Sequence, residues 1–133
     1  MTPAAPLVSI VDDDLSVRRA LGRLVQSAGY TVVTFASAGE FLGSPALAQA
    51  ACLVFDLARE GMSGFELQER LAAGHPSLPI IFMTALSEAP TGDRARHSGV
   101  SAHLHKPFDE DALLDAIRRA VDQGSMGGRL RAD

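Results

Sequence analysis

What this chain lacks narrows its chemistry first. It has a single cysteine, Cys52, and therefore no internal disulfide and no thiolate metal cage. That usage fits a reducing cytoplasm, the compartment expected here. Cys52 opens the apolar run Cys52-Leu-Val-Phe, where a buried small hydrophobe is expected rather than a reactive thiol. Basic excess is also missing: 12 Lys and Arg stand against 16 Asp and Glu, a formal net charge of -4. A general phosphate-backbone binder needs the opposite balance, so direct nucleic-acid binding is not expected. No apolar run approaches the roughly 20 residues that cross a bilayer. Met1 to Pro6 carries no basic stretch ahead of an apolar segment, so neither a secretory signal nor a membrane partner is expected. What is present is ordinary for a globular domain, with 47% apolar and 21% charged residues. A chain of 133 residues buries one core rather than two.

Short apolar runs recur along the chain at Leu7–Val11, Thr31–Phe35, Cys52–Phe55, Pro79–Met83 and Ala102–His105. The first four are rich in Val, Ile, Leu and Phe without clean alternation, the pattern of strands buried on both faces. Helical periodicity fills the intervals. Val17, Leu21, Leu24, Val25 and Ala28 form one stripe that stops at Gly29, a natural C-terminal cap. Ser37 with Glu40, and Ser63 with Glu66, read as capping boxes, and Leu67 and Leu71 share a helix face. After Pro107, Asp109 is the expected N-cap of a last helix whose apolar side is Leu113, Leu114, Ile117 and Val121. The segment Thr91-Gly-Asp-Arg-Ala-Arg-His-Ser is the weakest helical pattern, polar nearly all round. From Gly124 onward the sequence reads as a flexible tail or linker stub, leaving 1–123 as the domain. Alternating strand and helix calls for a parallel sheet with helices on both faces.

In such a sheet, ligands bind outside the carboxyl ends of the strands. Those ends carry Asp12, Asp13 and Asp14 on the first strand, Asp56 on the third, Thr84 on the fourth and Lys106 on the fifth. No apolar core requires that collection. Clustered carboxylates repel one another, and a bound cation is the usual relief. An oxygen-only donor set favours Mg²⁺ or Ca²⁺ over zinc, and Mg²⁺ would keep waters and room for a phosphate oxygen. A carboxylate also serves as a nucleophile toward phosphorus, with a metal and a lysine neutralising charge on the transferred group. Asp14 alone reads as a simple helix cap.

Taken together these residues resemble the receiver domains of bacterial two-component response regulators, most closely the FixJ-like group. The matching text is Ile10-Val-Asp-Asp-Asp, Phe55-Asp56-Leu, Met62-Ser-Gly-Phe-Glu-Leu, Phe82-Met-Thr84-Ala85, Gly99 and Lys106-Pro107-Phe108. Each piece is weak alone, but the ordered set is specific and covers about Val8 to Val121. The resemblance implies a flavodoxin-like (βα)5 fold, a doubly wound parallel five-stranded sheet with strand order 2-1-3-4-5. It implies that Asp56 accepts a phosphoryl group from a histidine kinase, a phosphotransfer protein or a small phosphodonor. Mg²⁺ would be held by Asp12, Asp13, Asp56 and the Ala58 carbonyl, with Thr84 moving toward the phosphoryl group and Lys106 pairing with it. The output would be a signalling switch read by a downstream protein, and the only catalysis that of its own phosphorylation and dephosphorylation.

The sequence departs from the family in three places. Arg59-Glu60 stands where a Met-Pro pair is usual. His103 occupies the position of the switch aromatic. The 91–98 segment, with Arg94, Arg96 and His97, lacks the apolar face used for dimerisation, so a monomer or a weak phosphorylation-dependent dimer is expected. Ala58 and Leu86 sit where the family tunes attack of water on the acyl phosphate, and their apolar character implies a long-lived phosphoryl group. No helix-turn-helix fits after Val121, leaving a stand-alone receiver or one cut from a longer regulator. Two alternatives stay open. One is a degenerate receiver that binds partners regardless of phosphorylation. The other is a small Mg²⁺-dependent phosphatase with an Asp nucleophile, although that class places a second Asp where this chain has Ala58.

Overall fold

β-Branched and large apolar residues build the strands, and their two-residue alternation divides the core between two faces. The computed structural model describes residues 5–56, 64–75, 77–85, 102–106 and 109–132. Its strands are β1 (Leu7–Val11), β2 (Thr31–Phe35), β3 (Ala50–Asp56), β4 (Ile80–Ala85) and β5 (Ala102–Lys106). They form one parallel sheet in the order β2-β1-β3-β4-β5, the flavodoxin-like arrangement expected. The helices are α1 (Leu15–Ser27), α2 (Ala38–Leu42), α3 (Ala46–Gln49), α4 (Gly64–Gly74) and α5 (Glu110–Ala132).

On one face Val8, Ile10, Cys52, Val54, Ile81 and Met83 meet Val25 of α1 and Leu113, Ile117 and Ala120 of α5. On the other, Val11, Leu53, Phe55 and Phe82 meet Phe41 of α2, Ala46 of α3 and Leu67 and Leu71 of α4. Neighbouring residues of β1, β3 and β4 thus point into opposite cores, which is why these strands show no polar alternation. Each fully buried Leu, Ile or Phe contributes on the order of 2–3 kcal/mol from apolar burial.

Local signals set the helix ends. Asp14 caps α1, its carboxylate accepting the Val17 N–H at 3.1 Å. Ser37 Oγ accepts the Glu40 N–H at 3.1 Å, and Glu40 Oε1 accepts the Ala36 N–H at 3.2 Å. Gly29 follows α1 at φ 100°, a left-handed conformation that favours glycine. The Asp109 carbonyl accepts the Ala112 and Leu113 N–H groups as α5 begins. The Ser63 half of the other capping box lies outside the described residues, as does the 91–98 segment.

Two features differ from what the sequence led one to expect. β2 is not buried on both faces: it is the sheet's edge, its residues exposed or half-buried, with Val33 38% exposed. Ala28 is exposed rather than part of the α1 stripe, because the chain is already turning toward Gly29. The backbone of α5 is helical through Gly124 to Ala132. Glycine lowers helix propensity, but propagation adds a hydrogen bond with each residue and carries the helix on.

Candidate metal centre

Three aspartates follow the last β1 residue, and the turn into α1 sends each a different way. The Asp12 N–H donates to the Phe35 carbonyl at 3.1 Å, extending the β1–β2 ladder one residue. This holds Asp12 inside the rim, 1% exposed. Its Oδ1 accepts the Asp14 N–H at 2.9 Å, closing a tight turn. Asp14 is drawn into capping α1, and Asp13 is left exposed at the mouth. Asp56 ends β3, the strand beside β1, and is 4% exposed. One carboxylate oxygen from each of Asp12, Asp13 and Asp56 lies within 4.8 Å of the others.

Three carboxyl groups stand together here, two of them buried, an arrangement whose mutual repulsion a bound cation would relieve. The donor set is all oxygen, open on the Asp13 side, and suits a hard divalent cation that retains part of its water shell. These residues therefore fit a metal ion on their own chemistry.

The register locates the other rim residues by backbone. Asp56 pairs with Met83 and Met83 with Leu104. Thr84 is therefore the next residue of β4 beyond that row, and Lys106 closes β5 opposite Ala85. His103 lies opposite Phe82. The side chains of Thr84, His103 and Lys106 lie outside the described residues, as do Ala58, Arg59, Glu60 and Leu86.

One contributor went unread in the sequence. Arg18 Nη1 donates to the Asp12 carbonyl at 2.8 Å, tying α1 to the acidic turn. Its signal was available, since a residue four past the Asp14 cap lies one turn up the helix. Burial pushes the Cys52 thiol up to about 12, in keeping with its place in the core. The Tyr30 phenol is raised by burial first and by Asp122 next, with Cys52 adding to the shift and Arg118 opposing it.

The family model described as response regulator receiver domain matches residues 8–118. Nodulation protein W of Bradyrhizobium diazoefficiens is 40% identical over 117 residues, covering 88% of this chain and 52% of that protein. Transcriptional regulatory protein FixJ of Azorhizobium caulinodans is 33% identical over 127 residues, covering 96% of this chain and 60% of that protein. The chain thus spans little more than half the length of these curated relatives. Among solved structures, response regulator StyR superposes with a TM-score of 0.87 at 44% identity, covering 97% of this chain and 65% of that one.

Proposed function

Because the chain belongs to the response regulator receiver domain family, a family of phosphorylation-dependent signalling switches, we propose that Asp56 is its phosphoacceptor. The observation that carries the assignment is the gathering of Asp12, Asp13 and Asp56 at the rim, with Asp56 at the end of a central strand. An Asp56 oxygen attacks the phosphorus of the donor, and the bond to the leaving group breaks with its electron pair departing on that group. The product is an acyl phosphate. Asp12, Asp13, Asp56 and the Ala58 carbonyl would hold Mg²⁺, which when bound supplies positive charge against the transferring group. The Lys106 ammonium pairs with the phosphoryl group, and the Thr84 hydroxyl donates to one of its oxygens. Burial and the Asp14 N–H hydrogen bond hold the Asp12 carboxylate in place before the ion arrives.

On this reading the chain belongs to no turnover-enzyme class and catalyses only its own modification and its loss. The donor is a histidine kinase or phosphotransfer protein of the cytoplasm, and a downstream protein reads the modified state. Residues 1–123 form the receiver unit. His103, in the place of the switch aromatic, takes part in transmitting the change at Thr84. Ala58 and Leu86 keep water from the acyl phosphate, so the phosphoryl group is retained for long after the donor is removed.

Incubation with Mg²⁺ and acetyl phosphate tests the assignment. The intact mass should rise by one phosphoryl group, and the gain should vanish in Asp56→Asn and in the presence of a chelator. Modification that persists in Asp56→Asn, or none at all in a folded sample, rejects Asp56 as acceptor.

A further inference from the structure

The outer flank of α1 carries a charge pattern that the phosphorylation chemistry does not use. Between Leu15 and Ser27 the helix holds Arg18, Arg19 and Arg23 and no acidic residue, in a chain of net charge -4. Arg19 and Arg23 are exposed and stand four residues apart on one face, a like-charge spacing that disfavours the helix. Among the described residues, no carboxylate forms an ion pair with either of them.

Gly22 sits between them, inside the helix, where glycine is also unfavourable. Packing does not demand it. A Cβ there would meet Thr34 Cγ2 at 3.6 Å and Val32 Cγ1 at 3.8 Å, ordinary van der Waals contacts. What the missing side chain does is leave the floor of a groove bare. That groove, about 270 Å³, runs between α1 and β2 and is walled by Arg18, Arg19 and Arg23 on one side and Val32 and Thr34 on the other. β2 is an edge strand of the sheet, and among the described residues no further strand pairs with it. Edge strands are commonly protected by charge, proline or a bulge, and Thr31-Val-Val-Thr-Phe has no charge and no proline.

We propose that the α1–β2 groove docks an extended acidic segment of a partner protein. Its carboxylates lie against Arg19 and Arg23, and an apolar side chain enters the notch at Gly22. Its backbone runs beside β2 as an added strand. Charge complementarity selects the occupant: Arg19 and Arg23, without an ion pair among the described residues, next to a neutral and partly apolar strand edge, match a peptide that is both acidic and β-forming. A nucleic acid is the poorer match, because the chain as a whole is acidic. The groove shares Arg18 with the acidic turn, but docking does not depend on the identity of the phosphoacceptor.

The test is a nuclear magnetic resonance titration of the full chain with a short peptide of alternating Glu and Val, and with a Lys–Val control. The acidic peptide alone should give saturable shifts at Arg19, Gly22, Arg23 and Val32–Thr34, weakening as salt is added. Affinity should fall by about tenfold or more in the Arg19→Glu/Arg23→Glu double variant, where attraction becomes repulsion. Gly22→Leu should also lose binding while melting at a higher temperature than the parent, which separates loss of the notch from loss of fold. Labelling by acetyl phosphate should be unchanged in both variants. The proposal is overturned by any of four results: no saturable shift, undiminished binding by the double variant, equally tight binding of a DNA duplex at these residues, or self-association of the free chain through this groove.

Discussion

Asp12 and Asp13 are adjacent in sequence, yet one is 1% exposed and the other lies open at the mouth of the site. The difference follows from hydrogen bonding: Asp12 is committed to the Phe35 carbonyl and the Asp14 N–H, and Asp13 is not. Asp13→Asn should therefore leave the fold intact while weakening Mg²⁺ binding. Ligand at about 100 times its Kd stabilises a protein by ~2.7 kcal/mol, and calorimetric melting with Mg²⁺ should show that gain in the parent and lose most of it in Asp13→Asn. Cys52 makes a second residue-scale prediction. Its thiol is raised from 9.0 to about 12 by burial, so the native state keeps the proton after the unfolded chain has released it. The contribution is fully present below pH 9 and is lost as pH rises from 9 toward 12. Urea unfolding should show stability falling across that window by up to about 1.4 kcal/mol per pH unit from this group, and Cys52→Ala should flatten the slope. The same burial should block labelling by thiol reagents until the chain unfolds.

Elements are held at their ends by single residues, and those ends were well marked in the sequence. β1 and β2 span the residues that their apolar runs indicated. The Asp14 and Ser37 caps accept the N–H groups three residues on, as the cap patterns require. Asp14→Ala should cost about 1 kcal/mol, and since Asp14 is the last residue of the acidic turn, it should also loosen Mg²⁺ binding. Gly29→Ala should destabilise by about 1 kcal/mol although nothing lies within 4 Å of an added Cβ, because the cost comes from φ 100° alone. Thermal melts of the two variants check both. The interior of the second helical region was harder to read: Gly43 and Pro45 divide it into α2 and α3, and Ser44 Oγ bonds back to the Phe41 carbonyl at 2.8 Å. Buried Ser9 and Gln68 were invisible as well, since a polar residue inside an apolar run carries no local mark of its burial.

At the scale of the whole molecule, one sheet separates two cores that, among the described residues, share no helix. Leu67 belongs to the core with α2, α3 and α4, and Ile117 to the core with α1 and α5. Leu67→Ala and Ile117→Ala should each cost about 2–5 kcal/mol. The double variant should equal their sum within about 0.5 kcal/mol, because the sites share no partner across the sheet. Urea denaturation measures this, and a large deficit from additivity would show that the sheet transmits strain between its faces.

By itself the sequence marked the five strands and the starts of the helices that open at Asp14 and Ser37, and it placed Asp12, Asp13, Asp56, Thr84 and Lys106 at strand ends. Periodicity, caps and turn residues are local, so they can be read without knowing the fold. Tertiary structure realises the strand order that the family resemblance implied, with β1 between β2 and β3, and so brings Asp56 to Asp12 and Asp13. It also decided that β2, composed like a buried strand, is the exposed edge, and that Arg18 reaches back to the Asp12 carbonyl. These are consequences of which strands neighbour one another, a choice made by chain crossovers and the burial of both sheet faces. No residue type encodes it alone.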